Sequence, residues 1–234
     1  MIEIRPFATL GKANHGWLDT SHHFSFADYH DPSRMGWGAL RVWNDDWIQA
    51  RSGFPPHPHR DMEIITYVRK GAISHRDSLG NEGRTGAGDV QVMSAGTGIT
   101  HAEYNMEDEA TELFQIWILP DRTGDRPRWD QKAFPTGERA GRWVTLADGR
   151  GGALDEGTIA LNADARLLAA TLAAGDTLEL PLEPARHYYL VPVNGAVEVG
   201  GKVAHSRDGI AITGEESLSV TAKDAVELVL VETR

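Results

Sequence analysis

The sequence predicts an all-β fold, and three features of the chain carry this prediction. Short segments rich in Val, Ile, Leu and Tyr are bounded by glycine and aspartate, a pattern typical of β-strands. Nowhere do apolar residues keep a helical period over the roughly 11 residues that identify an amphipathic helix. Two-residue turns such as Asn194-Gly195 and Asp208-Gly209 separate the segments of the second half, and such turns join hairpin strands.

The apolar segments predict strands in both halves of the chain. The first half carries them at residues 64–68, 90–93 and 113–119. Those of the second half are expected at 166–172, 177–182, 187–193, 196–199, 209–212, 218–221 and 226–231.

A segment rich in proline and charge, 120–128, interrupts the strand pattern. We interpret it as a crossing between two lobes. The predicted division is an N-terminal metal-binding barrel over 1–120, a linker over 121–137 and a C-terminal barrel without metal over 138–234. The two halves share a similar order of turns and strands, which suggests a duplicated β-barrel. Chance similarity of turns in a chain with 25 glycines is the alternative.

Composition excludes several classes of protein. The chain has no cysteine, so disulfide scaffolds, zinc ribbons and thiol catalysis are excluded, and any metal must be bound by histidine and carboxylates. A formal charge of -11 repels phosphate backbones, which argues against direct nucleic-acid binding. No run of about 18 apolar residues occurs, and the first residues lack the apolar run of a signal peptide. We expect a cytoplasmic protein without a membrane segment.

Two short segments carry the residues of a candidate metal site. His57-Pro58-His59 and His101-Ala102-Glu103 each place two potential ligands two residues apart, so on extended chain both side chains point to one face. One such pair alone is more often a surface or turn feature. Two pairs on neighbouring strands can converge on one divalent transition ion and leave positions open for water or substrate. The candidate ligands are His57, His59, His101 and Glu103.

Glu63 is the competitor of Glu103, because it shares strand parity with His57 and His59. We expect it to accept a hydrogen bond that orients a histidine, in preference to binding the ion directly. The other histidines lack a partner at ligand spacing, and we expect none of them to bind metal. They are His15, His22, His23, His30, His75, His187 and His205.

The histidine segments resemble the two motifs of the cupin superfamily. The first motif falls on Gly53, His57, His59, Glu63 and Gly71, and the second on Gly88, Gly96, His101 and Asn105, with Ser94 where proline is usual. A closer resemblance is to the pirin family of two-barrel cupins, and within it to bacterial members with quercetin 2,3-dioxygenase activity. It is strong over residues 1–135, in the segments 14–18, 23–27, 40–42, 44–46, 57–63 and 93–101.

The pirin resemblance implies a fold of two tandem jelly-roll-like cupin barrels with a metal in the first. The family's ligands fall on His57, His59, His101 and Glu103, which leaves Glu63 outside the ligand set. The implied cofactor is one divalent transition metal per chain, iron first, with manganese, cobalt, nickel, copper or zinc as alternatives. The positions that the internal repeat matches to these ligands carry no histidine: Pro181, Glu183, Ala222 and Asp224.

The resemblance also implies cleavage of a flavonol such as quercetin by dioxygen, with release of carbon monoxide. Glu103 is then the expected base for the flavonol hydroxyl group. The alternatives are a non-enzymatic pirin-type protein that binds a partner as a transcription co-regulator, and an enzyme for another aromatic or enolic substrate. Aromatic walls of a flavonol pocket, or else parts of the core, are expected at Phe24, Phe26, Trp37 and Trp43.

Overall fold

A computed structural model describes residues 1–151 and 153–234 and confirms the all-β prediction. The helical turns Phe7–Thr9 and Thr136–Arg139 are short, and no helix in the described residues has the length and apolarity to cross a membrane. The strands of the first half are β1 (Ile2–Arg5), β2 (Gly11–Asn14), β3 (Leu18–His22), β4 (Leu40–Ile48), β5 (Gly53–His59), β6 (Glu63–Lys70), β7 (Ala72–Asp77), β8 (Glu82–Gly86), β9 (Val90–Ser94), β10 (Ile99–Tyr104), β11 (Thr111–Ile118) and β12 (Arg128–Lys132).

The second half continues the strand pattern, and each of its seven predicted strands overlaps an observed one. Its strands are β13 (Val144–Asp148), β14 (Ile159–Ala160), β15 (Ala165–Leu172), β16 (Thr177–Pro181), β17 (His187–Pro192), β18 (Ala196–Val199), β19 (Lys202–His205), β20 (Gly209–Thr213), β21 (Ser217–Ala222) and β22 (Val226–Thr233).

The strands form two barrels, each made of a seven-stranded and a four-stranded sheet. The first barrel has the orders β12-β9-β6-β11-β4-β3-β2 and β5-β10-β7-β8. The second has the orders β1-β20-β17-β22-β15-β13-β14 and β16-β21-β18-β19. The predicted tandem barrels are therefore confirmed.

Two strands pair in ways that the predicted domain bounds do not imply. β1, near the N-terminus, pairs with β20 of the second barrel. β12, inside the predicted linker 121–137, pairs with β9 of the first barrel. The bounds 1–120 and 138–234 stay a prediction for where the chain divides, and these two strands tie the halves together.

The two seven-stranded sheets share a continuous core. Trp43 and Phe114 of the first barrel belong to the same buried cluster as Tyr189 and Val229 of the second. Because side chains alternate between the faces of a strand, the neighbours of these residues point into their own barrel. Each buried aromatic side chain at this interface contributes on the order of 1.5–3 kcal/mol through burial alone.

The interiors of the two barrels differ in chemistry. The second is filled by a cluster of Leu, Ile and Val that includes Leu190, Ile212 and Leu228. At comparable inward positions of the first barrel, β4 carries Asp46 and β11 carries Gln115, and both side chains line a cavity. The first barrel therefore keeps space and polar groups where the second is packed.

Candidate metal centre

Strands β5 and β10 bring the two histidine segments together, pairing antiparallel with His57 opposite His101. β5 is the edge strand of its sheet, where prolines are tolerated because only one neighbour needs backbone N–H donors. Gly53 lies so close to β10 that a Cβ atom there would be 2.2 Å from the carbonyl oxygen of Glu103. Glycine at this position permits the close approach of the two strands.

The ligand atoms of His57, His59 and His101 all lie within 4.8 Å of one another. The Nε2 atoms of His57 and His101 are 3.1 Å apart. Two nitrogens bound to one ion at about 2.1 Å lie roughly 3.0–3.4 Å apart, so this spacing fits a shared ion. The Nδ1 atom of His57 is 2.8 Å from the carbonyl oxygen of Pro55 and donates to it, which leaves the Nε2 lone pair free for the ion.

Two of the three imidazoles are neutral at physiological pH. Burial, together with the imidazoles of His101 and His57, lowers the pKa of His59 to about 4. Burial, together with His57 and His75, lowers the pKa of His101 to about 3. Metal binding requires deprotonated ligands, so these side chains offer lone pairs without first losing a proton.

Glu103 lines the same cavity as the three histidines. Among the described residues, the group whose ligand atoms lie within 4.8 Å of one another contains His57, His59 and His101 but not Glu103. A register shift separates it from His101 on β10. Its Oε1 accepts hydrogen bonds from Thr66 at 3.1 Å and Gln91 at 2.5 Å, and its Oε2 accepts one from Gln115 at 2.6 Å. These donors hold the carboxylate in place, and its role as ligand or base stays a prediction.

The prediction that Glu63 orients a histidine is wrong. Its Oε2 accepts hydrogen bonds from the Ser94 hydroxyl at 2.7 Å and the backbone N–H of Asn162 at 3.0 Å. The parity argument fails because β5 and β6 lie in different sheets, and Asp61 between them is in the left-handed region at φ 47. Glu63 instead links the first barrel to the second half of the chain.

His75, which we expected to be isolated, lies directly behind the metal centre with Asp77. Asp77 Oδ2 is 3.0 Å from Nε2 of His75, and Nδ1 of His75 is 3.5 Å from Nδ1 of His101. With Asp77 accepting the Nε2 proton, Nδ1 of His75 can accept a hydrogen bond from Nδ1 of His101. The Nε2 lone pair of His101 would then be available to a metal ion. The His-x-Asp spacing on β7 is the sequence signal for this pair, but only strand pairing connects it to His101.

We expect the His75→Phe variant to bind metal about 10–100-fold more weakly than the wild type. The ring would still stack on Trp129, whereas Nδ1 of His101 would lose its buried partner. Titration of the metal-free protein with nickel(II) by calorimetry measures the change. The matched control is His205→Phe, the same replacement at an exposed histidine, and equal affinity of both variants would contradict the positioning role.

The metal centre opens into a cavity of about 650 Å³ with aromatic walls. This volume lies within the roughly 300–1,000 Å³ typical of small-molecule sites. His59 packs edge-on against Trp117 with ring centroids 5.0 Å apart, and Trp17 packs edge-on against Phe54 at 5.0 Å. The aromatic lining residues are Trp17, Phe26, Tyr29, Phe54 and Trp117.

Of the four predicted wall residues, Phe26 lines the cavity. Phe24 and Trp43 are fully buried in the core between the barrels, and Trp37 packs against His187 of the second half. The sequence pattern cannot distinguish an aromatic residue that lines the cavity from one buried in the core, because both are apolar residues on strands or loops.

A buried carboxyl group on the opposite sheet also faces the cavity. Asp46 is 2% exposed. Burial raises its pKa to about 7, and the charges of Asp45 and Glu103 act in the same direction, whereas Thr20 and Arg69 lower it. The sequence analysis missed Asp46, since an acidic residue within a strand has no spacing partner that would single it out.

Sequence comparison relates the chain to named proteins over nearly its whole length. The pirin model matches residues 4–118, and the model for the quercetinase C-terminal cupin domain matches residues 150–233. A Pseudomonas aeruginosa protein provisionally named quercetin 2,3-dioxygenase is 63% identical and covers 99% of both chains. The quercetin 2,3-dioxygenase of Escherichia coli K12 is 42% identical, covering 98% of this chain and 97% of its own.

Structure comparison gives the same relationship. The bacterial pirin YhhW from Escherichia coli superposes with a TM-score of 0.94 at 40% identity, covering 100% of this chain and 98% of its own. Its complex with nickel(II) superposes with a TM-score of 0.93 at 40% identity, covering 100% and 99%. The chain belongs to the pirin family.

Proposed function

We propose that this protein is a metal-dependent dioxygenase that cleaves a flavonol such as quercetin. The observation that carries the proposal is the group of three histidines, two of them held neutral, at an aromatic-walled cavity of about 650 Å³. The quercetin 2,3-dioxygenase names of relatives support it. A partner-binding pirin would need the metal group but no cavity of this size, so the enzyme is favoured.

The histidines would hold the ion through their ring nitrogens. A divalent ion bound there would supply Lewis acidity to the hydroxyl and carbonyl oxygens of a flavonol. Because neutral imidazoles leave the site positively charged, they favour an anionic oxygen ligand. Trp17, Phe54 and Trp117 would contact the flat rings and exclude water from them.

Glu103 is the proposed base for the flavonol hydroxyl group. Its carboxylate lines the cavity, and hydrogen bonds from Thr66, Gln91 and Gln115 fix its orientation. A carboxylate held at a fixed position beside a substrate hydroxyl group can accept its proton. The proton would leave the substrate oxygen for a Glu103 oxygen, giving the enolate.

For the cofactor we propose one divalent transition metal, with iron first and manganese, cobalt, nickel, copper and zinc as alternatives. A set of imidazole and carboxylate ligands suits all of these ions, so the donor set alone does not select among them. The nickel(II) complex of the related YhhW supports a divalent ion of this series.

Oxygen uptake tests the proposed function. Protein loaded separately with iron, manganese, cobalt, nickel and copper is incubated with quercetin in an oxygen electrode. We expect oxygen consumption together with loss of the flavonol absorbance and release of carbon monoxide. Stoichiometric metal binding without oxygen uptake for any flavonol would overturn the proposal, and a search for protein partners would follow.

We expect the Glu103→Gln variant to consume oxygen about 10²–10⁴-fold more slowly than the wild type, the range for loss of a general base. Metal content measured on the same sample separates the two predicted roles. Retained metal with lost turnover assigns Glu103 as base, and lost metal assigns it as ligand. Turnover at the wild-type rate would contradict both.

A further inference from the structure

Thr20 and Asp46 form a polar pair on the inner face of the first barrel, on the sheet opposite the histidines. They are direct partners across β3 and β4 and both line the cavity. Thr20 is 4% exposed and Asp46 is 2% exposed. The Thr20 hydroxyl group lies close enough to Asp46 to lower its pKa by hydrogen bonding, and the Thr20 hydroxyl oxygen and Oδ1 of Asp46 have no other side-chain partner in the described part of the chain. A ligand hydroxyl group at this point of the cavity wall would find a hydroxyl donor and a carboxyl acceptor side by side.

The preceding residue on β4 shows what a purely structural carboxylate does in this fold. Asp45 points to the other face of the strand, is fully buried, and forms ion pairs with Arg69 and Arg207. Asp46 has no ion pair within the described residues, although it is equally buried. The Asp46 carboxyl group, which faces the cavity, is therefore not neutralised by an ion pair with a described Arg or Lys side chain.

We propose that Asp46, assisted by Thr20, forms a hydroxyl-binding subsite that contacts a hydroxyl group of the ligand other than the oxygens facing the histidines. The proposal rests on the proposed function and deepens it, because it assigns the residue that distinguishes flavonols by their further hydroxyl groups. Asp46 would act as a specificity-determining residue through direct contact with the ligand.

The charges around the cavity favour a neutral hydroxyl group over an acidic substituent at this subsite. Asp46 faces the carboxylate of Glu103, and Asp45 lies behind it, so a ligand carboxylate would meet repulsion. A phenolic O–H group can donate to the Asp46 carboxyl group and accept from the Thr20 hydroxyl. At pH 8, where most of the Asp46 carboxyl group is ionised, hydrogen bonds to it are stronger than those between neutral groups, so discrimination of about 10-fold or more is expected at that pH.

The test uses two flavonols that share the same hydroxyl and carbonyl oxygens on the central ring. Quercetin carries further hydroxyl groups, and 3-hydroxyflavone lacks them. Binding of each to nickel-loaded protein is measured by fluorescence under nitrogen, where dioxygen cannot react. We expect the wild type to bind quercetin at least about 10-fold more tightly, and Asp46→Ala to lose this preference by weakening quercetin alone.

Two further variants and one further measurement separate the subsite from other causes of weaker binding. Thr20→Val removes the hydroxyl group at nearly constant volume, and we expect about a 3-fold loss for quercetin alone. Asp130→Ala makes the same substitution at an exposed carboxylate outside the cavity and should leave both affinities within about 2-fold. Nickel affinity, measured on every variant, should match the wild type and shows that the metal centre is intact.

An equal loss for both flavonols in Asp46→Ala and Thr20→Val, or no preference in the wild type, would overturn the subsite and leave the proposed function standing. If the nickel-loaded wild type binds neither flavonol, the proposed function fails and the subsite proposal fails with it. Retained preference in both variants would also overturn the subsite.

Discussion

The His59→Ala variant is expected to lose metal binding and oxygen consumption together. His59 is one of three imidazoles whose ligand atoms lie within 4.8 Å of one another, and its low pKa keeps it unprotonated at neutral pH. Without it, two imidazoles remain near the open cavity. We expect the nickel affinity to fall more than about 100-fold, since loss of a residue that only orients a ligand already costs about 10–100-fold.

The same variant should remain folded. His59 ends an edge strand at the cavity and is partly exposed, so its truncation leaves no closed void in a core. We expect the free energy of unfolding of the metal-free protein to change by less than about 1 kcal/mol. Nickel titration, oxygen uptake and urea unfolding of one preparation measure all three quantities.

The matched control for this prediction is His30→Ala, since His30 is exposed and lies outside the histidine group. That variant should bind nickel and consume oxygen like the wild type. If His59→Ala bound nickel with wild-type affinity, the ion would be held elsewhere, and the ligand set proposed from the two histidine segments would be wrong.

The histidine group could be predicted from the sequence because its information is local. His57 and His59 share a face of one strand by spacing alone, and His101 follows a glycine-rich segment that the family resemblance covers. Strands of the second barrel could be predicted for a similar reason, since their inward side chains are apolar and their turns carry glycine.

The polar interior of the first barrel could not be predicted in this way. Strand β4 is buried on both faces, so the residues around Asn44 and Asp46 show no alternation between apolar and polar positions. His75 reaches His101 only because β7 and β10 are neighbours in the sheet. Glu63 was misplaced because the left-handed residue Asp61 breaks the strand parity. Each case depends on contacts between segments distant in the chain.

The Asp46→Asn variant is expected to be more stable than the wild type at pH 8. In the folded protein the pKa of Asp46 is raised to about 7, whereas an aspartate in an unfolded chain has a pKa of about 3.9. The folded state therefore holds the proton between these values and the unfolded state releases it. By linkage, wild-type stability falls as pH rises from about 4 to about 7, by roughly 2–4 kcal/mol.

Asparagine at this position carries no charge at any of these pH values, so the variant does not lose stability through this group. The difference in free energy of unfolding should be near its maximum at pH 8 and smallest below about pH 4, where Asp46 is protonated in both states. Urea unfolding of chelator-treated protein at pH 4, 6 and 8 measures it, because a bound cation would favour the carboxylate. Asp28→Asn, at an exposed position, should show no such pH dependence. A difference independent of pH would show that Asp46 does not hold this proton in the folded protein. The expected pattern would identify Asp46 as a carboxyl group at the cavity wall that lowers stability, a trade-off common at ligand-binding sites.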